Sequence, residues 1–377
     1  MKTFLFCFQQ VGGANALLPL IEEWRQRHRI VITGRKPVCE NLRGRGISDV
    51  YDYETVGWRD GDPEKNTEWF KALSPDIVIT DTIALYRNCD GIACRDFWTL
   101  SLKCGVPSIA YMDCWYAYRQ RFFLPDEVTI PVLPDTIGVV DSIAGNEMIR
   151  LGFPEDRIKI LGSPLYALLR EKAGPADGDA KKNGKNHFGI PQDHFVLLFV
   201  SQEFEGHFGS VEEWGFTEIT VFRDILECLK TLAPGFKNKL ILNVLLHPEE
   251  EGRELMALSQ NQSDVRIKFY KGESHKHIIA SDLVSGMFSI LLSEAVILGR
   301  PVMSLQPNLK REDMLITNMV GATMPVRTHE QFYTHFLHSV VNPDYRAGIL
   351  ERQKKFVIVT DAIERWSNEI GMLLNSR

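Results

Sequence analysis

The chain has 377 residues, with 43 Lys and Arg against 49 Asp and Glu, a formal net charge of −6. Apolar residues at 44% and charged residues at 24% exclude a disordered or collagen-like chain. The mild acidity argues against a protein that lives on bulk nucleic-acid charge, and the length allows two domains at roughly 150 residues each.

Met1–Phe8 opens like a secretion signal, with Lys2 before a short apolar stretch, but then meets Gln9 and Gln10. A buried first strand fits better. No apolar run approaches the ~18 residues of a membrane span, so no transmembrane segment is expected, while peripheral membrane association through a local basic patch stays open. The seven cysteines are scattered without a C-x-x-C pair, which points to reduced thiols in the cytoplasm and to no disulfide framework or metal site.

Short β-branched and aromatic runs alternate with helical stretches. Thr3–Phe8 is predicted as a strand, Gln9–Asn15 as a glycine-bearing loop, and Ala16–Arg27 as a helix. Further strands are predicted at Ile30–Thr33, Asp49–Tyr53, Asp76–Thr80, Pro107–Tyr111, Thr136–Val140 and Arg157–Leu161. A first domain thus spans 1–165. Residues 166–191, rich in Gly, Asp, Lys and Asn from 171 onward, read as an exposed linker. A second series follows at Phe195–Val200, Leu240–Leu246, Val265–Phe269, Leu283–Ser285 and Pro301–Leu305, giving a second domain over 192–355. Near-continuous apolar strands alternating with helices predict two doubly wound, Rossmann-like α/β domains with parallel sheets. In such folds ligands sit beyond the carboxyl ends of the strands, so the residues just after each strand carry the argument.

After the first strand, the paired Gly12 and Gly13 would let a substrate approach the backbone; a tight packing turn explains them equally well. At the end of another strand, Pro248 fixes the chain direction and leaves His247 at the sheet edge, suited to a phosphate oxygen or to capping the next helix. The segment 280–303 is the most specific. A strand leads through Gly286 to Ser289, placed to cap a helix and hold a phosphate beside free N–H groups. Glu294, about a turn and a half later, could accept both hydroxyls of a ribose.

This segment resembles the nucleotide-sugar-binding half of the GT-B glycosyltransferase superfamily, which includes the UDP-N-acetylglucosamine 2-epimerases. Ser281-Asp282, Ser289, Glu294-Ala295, Gly299 and Pro301 carry the match. His247-Pro248 is similar to the HP motif of several bacterial glycosyltransferases, where the histidine contacts the donor phosphate. Ile158–Pro164 resembles the closing segment of the first domain, and Thr360–Arg365 the start of a terminal helix over 356–377 that crosses back onto it. The resemblance implies two domains facing a cleft and metal-independent transfer of a sugar from a nucleotide-sugar donor to a glycan or small-molecule acceptor, in bacterial-type polysaccharide synthesis. It implies no further cofactor. A 2-epimerase or hydrolase on the same fold, and a non-catalytic nucleotide-sugar-binding scaffold, remain as alternatives.

The first domain would then supply acceptor recognition and the base. Asp113 follows a strand amid Trp115, Tyr116 and Tyr118, whose rings could stack on sugars and raise its pKa by desolvation. Asp81 and Asp141 compete for the role, unless they cap helices. Ser201, after Phe195–Val200, suits a diphosphate or sits in an unliganded loop. His275 and His277 bracket Lys276 without metal-ligand spacing and read as surface or base-proximal residues, and Lys310–Asp313 reads as a solvated charged loop.

Overall fold

The computed structural model describes residues 1–83, 92–124, 127, 132–173, 178–260 and 265–376. The chain divides into two compact units, Met1–Leu168 with Ile358–Arg377, and Leu169–Val357.

The first unit holds β1 (Thr3–Phe8), β2 (Arg29–Gly34), β3 (Val50–Asp52), β4 (Ile77–Thr80), β5 (Ser108–Met112), β6 (Thr136–Val139) and β7 (Ile158–Ile160). They form one sheet in the order β3-β2-β1-β4-β5-β6-β7, every pair parallel. Phe4 to Phe8 are all buried, as a strand covered on both faces requires. Each such side chain stabilises by about 1.5–3 kcal/mol. Strand order reverses between β1 and β4, so the switch point lies at Gln9, Gln10 and Asp81.

The first helix runs Val11–Trp24 and starts earlier than the sequence suggests. Gly12 and Gly13 therefore lie in its first turn, not in a loop. The reason is Asp81, whose Oδ2 accepts hydrogen bonds from Gln9 N at 2.9 Å and Gln10 N at 3.1 Å. An added Cβ at Gly13 would stand 2.6 Å from Asp81 Cβ, whereas one at Gly12 would meet nothing within 4 Å. The close approach at Gly13 is thus to the protein's own carboxylate. Gly13→Ala is expected to destabilise by about 1–3 kcal/mol through overpacking. Gly12→Ala should be neutral or stabilising by up to ~1 kcal/mol. Thermal unfolding of the two variants separates them; equal midpoints would remove Asp81 as the reason for Gly13.

The helix Ala362–Asn375 returns to the first unit. Trp366 is fully buried and donates from Nε1 to Gly162 O at 3.3 Å, and Thr136 Oγ1 donates to Glu369.

The second unit holds β8 (Phe195–Val200), β9 (Leu240–Leu245), β10 (Arg266–Tyr270), β11 (Leu283–Gly286), β12 (Val302–Leu305) and β13 (Met324–Val326). The order is β10-β9-β8-β11-β12-β13, again all parallel. The short β13, with Pro325 at its centre, was not expected from sequence. Its switch point lies between β8 and β11.

The stretch expected to be linker contains a helix, Asp179–His187. Its hold is electrostatic: Lys181 Nζ lies 2.8 Å from Asp282 Oδ1 and the buried Lys185 Nζ 3.0 Å from Asp282 Oδ2. Residues 174–177 of that stretch lie outside the described residues.

Candidate functional site

In the second unit the switch point is closed by side chains from the loops after β8, β9 and β11. Gln202 Oε1 accepts from Phe288 N at 3.2 Å, tying the first loop to the last. Ser201 is buried and donates to Glu250 Oε1 at 2.7 Å, while Glu250 Oε2 accepts from His247 N at 3.0 Å. Ser201 is therefore committed to fixing the loops after β8 and β9. Burial pushes the Glu250 carboxyl above its ordinary range, against the pull of those two donors. The His247 ring is about 39% exposed, and its pKa is lowered by partial burial.

Gly286 ends β11, where an added Cβ would stand 2.9 Å from Val200 O, so glycine is needed for strand packing. Ser289 caps the helix Ile290–Ile297 and accepts from Leu291 N at 3.4 Å. Glu294 is buried on that helix, and its Oε2 meets His275 Nε2 at 2.6 Å. His275 thus belongs to this constellation, whereas His277 does not. His277 is buried and stacked on Phe188 at 4.0 Å, and burial lowers its pKa to about 4. Asp313 is no solvated residue either, since it accepts from Arg327, from Asn318 at 2.8 Å and from Leu315 N at 3.0 Å.

In the first unit, Asp81 directly follows β4 and Asp113 follows the adjacent β5. Asp81 is 1% exposed; burial, reinforced by the charge of Asp113, pushes it up to about 7 despite the two N–H donors. Cys94 Sγ also reaches Asp81 Oδ1 at 3.6 Å. Burial likewise raises Asp113, opposed by Arg121, whose Nη1 lies 3.6 Å from Asp113 Oδ1. Arg121 is itself buried and donates to Thr82 O, so it anchors Asp113 to the β4 edge.

Of the aromatic group, only Tyr116 offers a face: it is 40% exposed, with the Arg121 guanidinium 5.4 Å from its centroid. Trp115 is buried, stacks on Tyr166 at 6.3 Å and donates to Asp141 Oδ2 at 2.8 Å. It is a core ring, not a sugar platform. Asp141 caps the helix Ser142–Arg150 through Ala144 N at 2.9 Å, which accounts for it structurally. Sequence reasoning does not single out Arg121, Glu250 or His207, because each has a partner far off in the chain, Thr82, Ser201 and Glu249 respectively.

Two parallel α/β units, each with a topological switch point, decide the architecture. The fold is GT-B. The structure is similar to S. aureus MnaA in its co-structure with UDP, at TM-score 0.68 and 15% identity over 100% of this chain and 97% of that one. It is similar to the UDP-GlcNAc 2-epimerase of Neisseria meningitidis bound to UDP-GlcNAc, at TM-score 0.67 and 15% identity over 100% of both chains. A glycosyltransferase from Rickettsia africae matches at TM-score 0.62 and 11% identity over 100% of this chain and 99% of that one. No protein-family model matches the chain, and no curated protein is similar to it in sequence. Among the described residues of this GT-B protein, no helix is long and apolar enough to cross a membrane.

Proposed function

We propose that this GT-B protein is an enzyme acting on a nucleotide-activated sugar of the UDP-N-acetylhexosamine class, with proton transfer at the sugar accompanying departure of the diphosphate. The second unit holds the nucleotide: Glu294 accepts the ribose hydroxyls, Ser289 and the N–H groups of its helix meet a phosphate, and His247 meets the diphosphate. The first unit supplies the proton chemistry. The observation that carries this reading is the pair of carboxyls just beyond neighbouring strands, Asp81 and Asp113, both raised above their ordinary range by burial. Inverting C2 of a sugar requires one group to remove the C2 proton and a proton source for the opposite face, which such a pair suits. The full-length likeness to a UDP-GlcNAc 2-epimerase supports the same choice.

The second reading is a glycosyltransferase, in which Asp113 activates an acceptor hydroxyl. The half-exposed Tyr116 beside Asp113 favours it, as a ring on which an acceptor sugar could stack. Incubation with UDP-GlcNAc in deuterated water, without acceptor, separates the two. The epimerase reading expects deuterium at C2 or UDP release. Turnover only after an acceptor is added would replace it with the glycosyltransferase. Tight UDP-GlcNAc binding with no turnover in either case would leave a binding scaffold.

A further inference from the structure

In the second unit three side chains converge from two loops, one of them the His247 already assigned to the diphosphate. His207 closes the short helical turn Phe204–His207 after β8, and His247 and Glu249 follow β9. His207 Nε2 lies 3.1 Å from Glu249 Oε2, and His247 Nδ1, which accepts from Glu249 N at 3.3 Å, lies 3.9 Å from the same oxygen. The ligand atoms of all three lie within 4.8 Å of one another. A tetrahedral ion with bonds of ~2.0–2.1 Å sets its ligand atoms roughly 3.4 Å apart, so the two spacings to Glu249 bracket what it needs, and the ion would take the His247 Nδ1 lone pair in place of Glu249 N. The cluster is also braced. The buried Glu250 bonds both Ser201 and His247 N, which fixes the loop after β8 against the loop after β9.

We propose that His207, His247 and Glu249 form a site for a transition-metal dication of the zinc class. Two imidazoles and a carboxylate suit zinc, cobalt or iron, while magnesium and calcium prefer all-oxygen shells. Three protein ligands leave a position open, as in catalytic rather than structural sites. That position takes a diphosphate oxygen, so His247 meets the diphosphate through the ion, which neutralises the charge of the departing nucleotide. This last role rests on the nucleotide reading given above; the ion site itself does not. Sequence spacing hides the site, because His207 and His247 come from different strands' loops and form no contiguous motif.

Zn²⁺ titrated calorimetrically into protein stripped with EDTA is expected to bind one ion per chain, at micromolar Kd or tighter. His207→Ala and Glu249→Gln should each weaken binding at least tenfold, with thermal midpoints in EDTA unchanged. Co²⁺ should give a visible absorption band that both variants lose. Absence of stoichiometric binding, or binding that both variants retain, overturns the site and leaves a plain His207–Glu249 ion pair. UDP titrated with and without Zn²⁺ tests the role, with at least fivefold tighter binding expected in its presence and no such gain in His207→Ala. UDP affinity independent of Zn²⁺ refutes the bridging role alone. Zn²⁺ binding without any UDP binding refutes the nucleotide reading and leaves the ion site standing.

Discussion

Asp113→Asn is expected to lower turnover of a nucleotide sugar by about 10³-fold, while UDP affinity stays within about twofold. General acid–base groups typically contribute 10²–10⁴ in rate, and an amide cannot take a proton at neutral pH. Nucleotide affinity should hold because the residues assigned to it lie in the other unit, on the loops after β8, β9 and β11. The substitution keeps an oxygen for Arg121, 3.6 Å away, and Arg121 keeps its bond to Thr82 O and its place near the Tyr116 ring. Folding is therefore expected to survive, which unfolding midpoints check. Asp141→Asn is the matched control. It should cost about 1 kcal/mol and leave turnover intact, because the amide oxygen still caps the helix through Ala144 N but no second acceptor remains for Trp115 Nε1. Full turnover in Asp113→Asn would remove it from the mechanism, and loss of turnover in Asp141→Asn would promote the competing acid.

The contrast between those two aspartates shows what the sequence makes legible. Both follow apolar strands, and only the structure separates the helix cap from the carboxylate beside a buried arginine. The strands themselves are readable because parallel strands buried on both faces are apolar throughout, as in Phe195–Val200. Elements held by remote partners are not. The helix Asp179–His187 carries no apolar stripe, since Lys185 and Lys181 anchor it through Asp282, and a lysine reads as solvent-facing. Paired glycines read as loop, although Gly13 is small to admit Asp81 into the helix start. Likewise the place of Ser201 after a strand marks it for a ligand, yet its hydroxyl is spent on Glu250. Position after a strand finds the right edge of the sheet. It does not tell which side chains there are already satisfied.

Asp81→Asn is expected to change the pH dependence of stability more than stability itself. In the folded protein Asp81 titrates near 7, pushed up by burial, against about 3.9 when unfolded. Between those values the unfolded chain binds fewer protons than the native one, so stability falls as pH rises from about 4 to about 7. Above that window the buried carboxylate costs about 4 kcal/mol, at ~1.4 kcal/mol for each unit of displacement. Asparagine stays neutral and can still accept from Gln9 N and Gln10 N through its carbonyl oxygen. The variant should thus match the wild type near pH 4 and exceed it by up to about 4 kcal/mol at pH 8. Asp96 and Glu218, also raised to about 7 by burial, bend both profiles alike and cancel in the difference. Urea unfolding at both pH values measures it. Parallel profiles would mean that Asp81 is ionised in the native state from acid pH upward, held so by its two backbone donors, and would leave Asp113 as the sole proton-transfer group of the first unit.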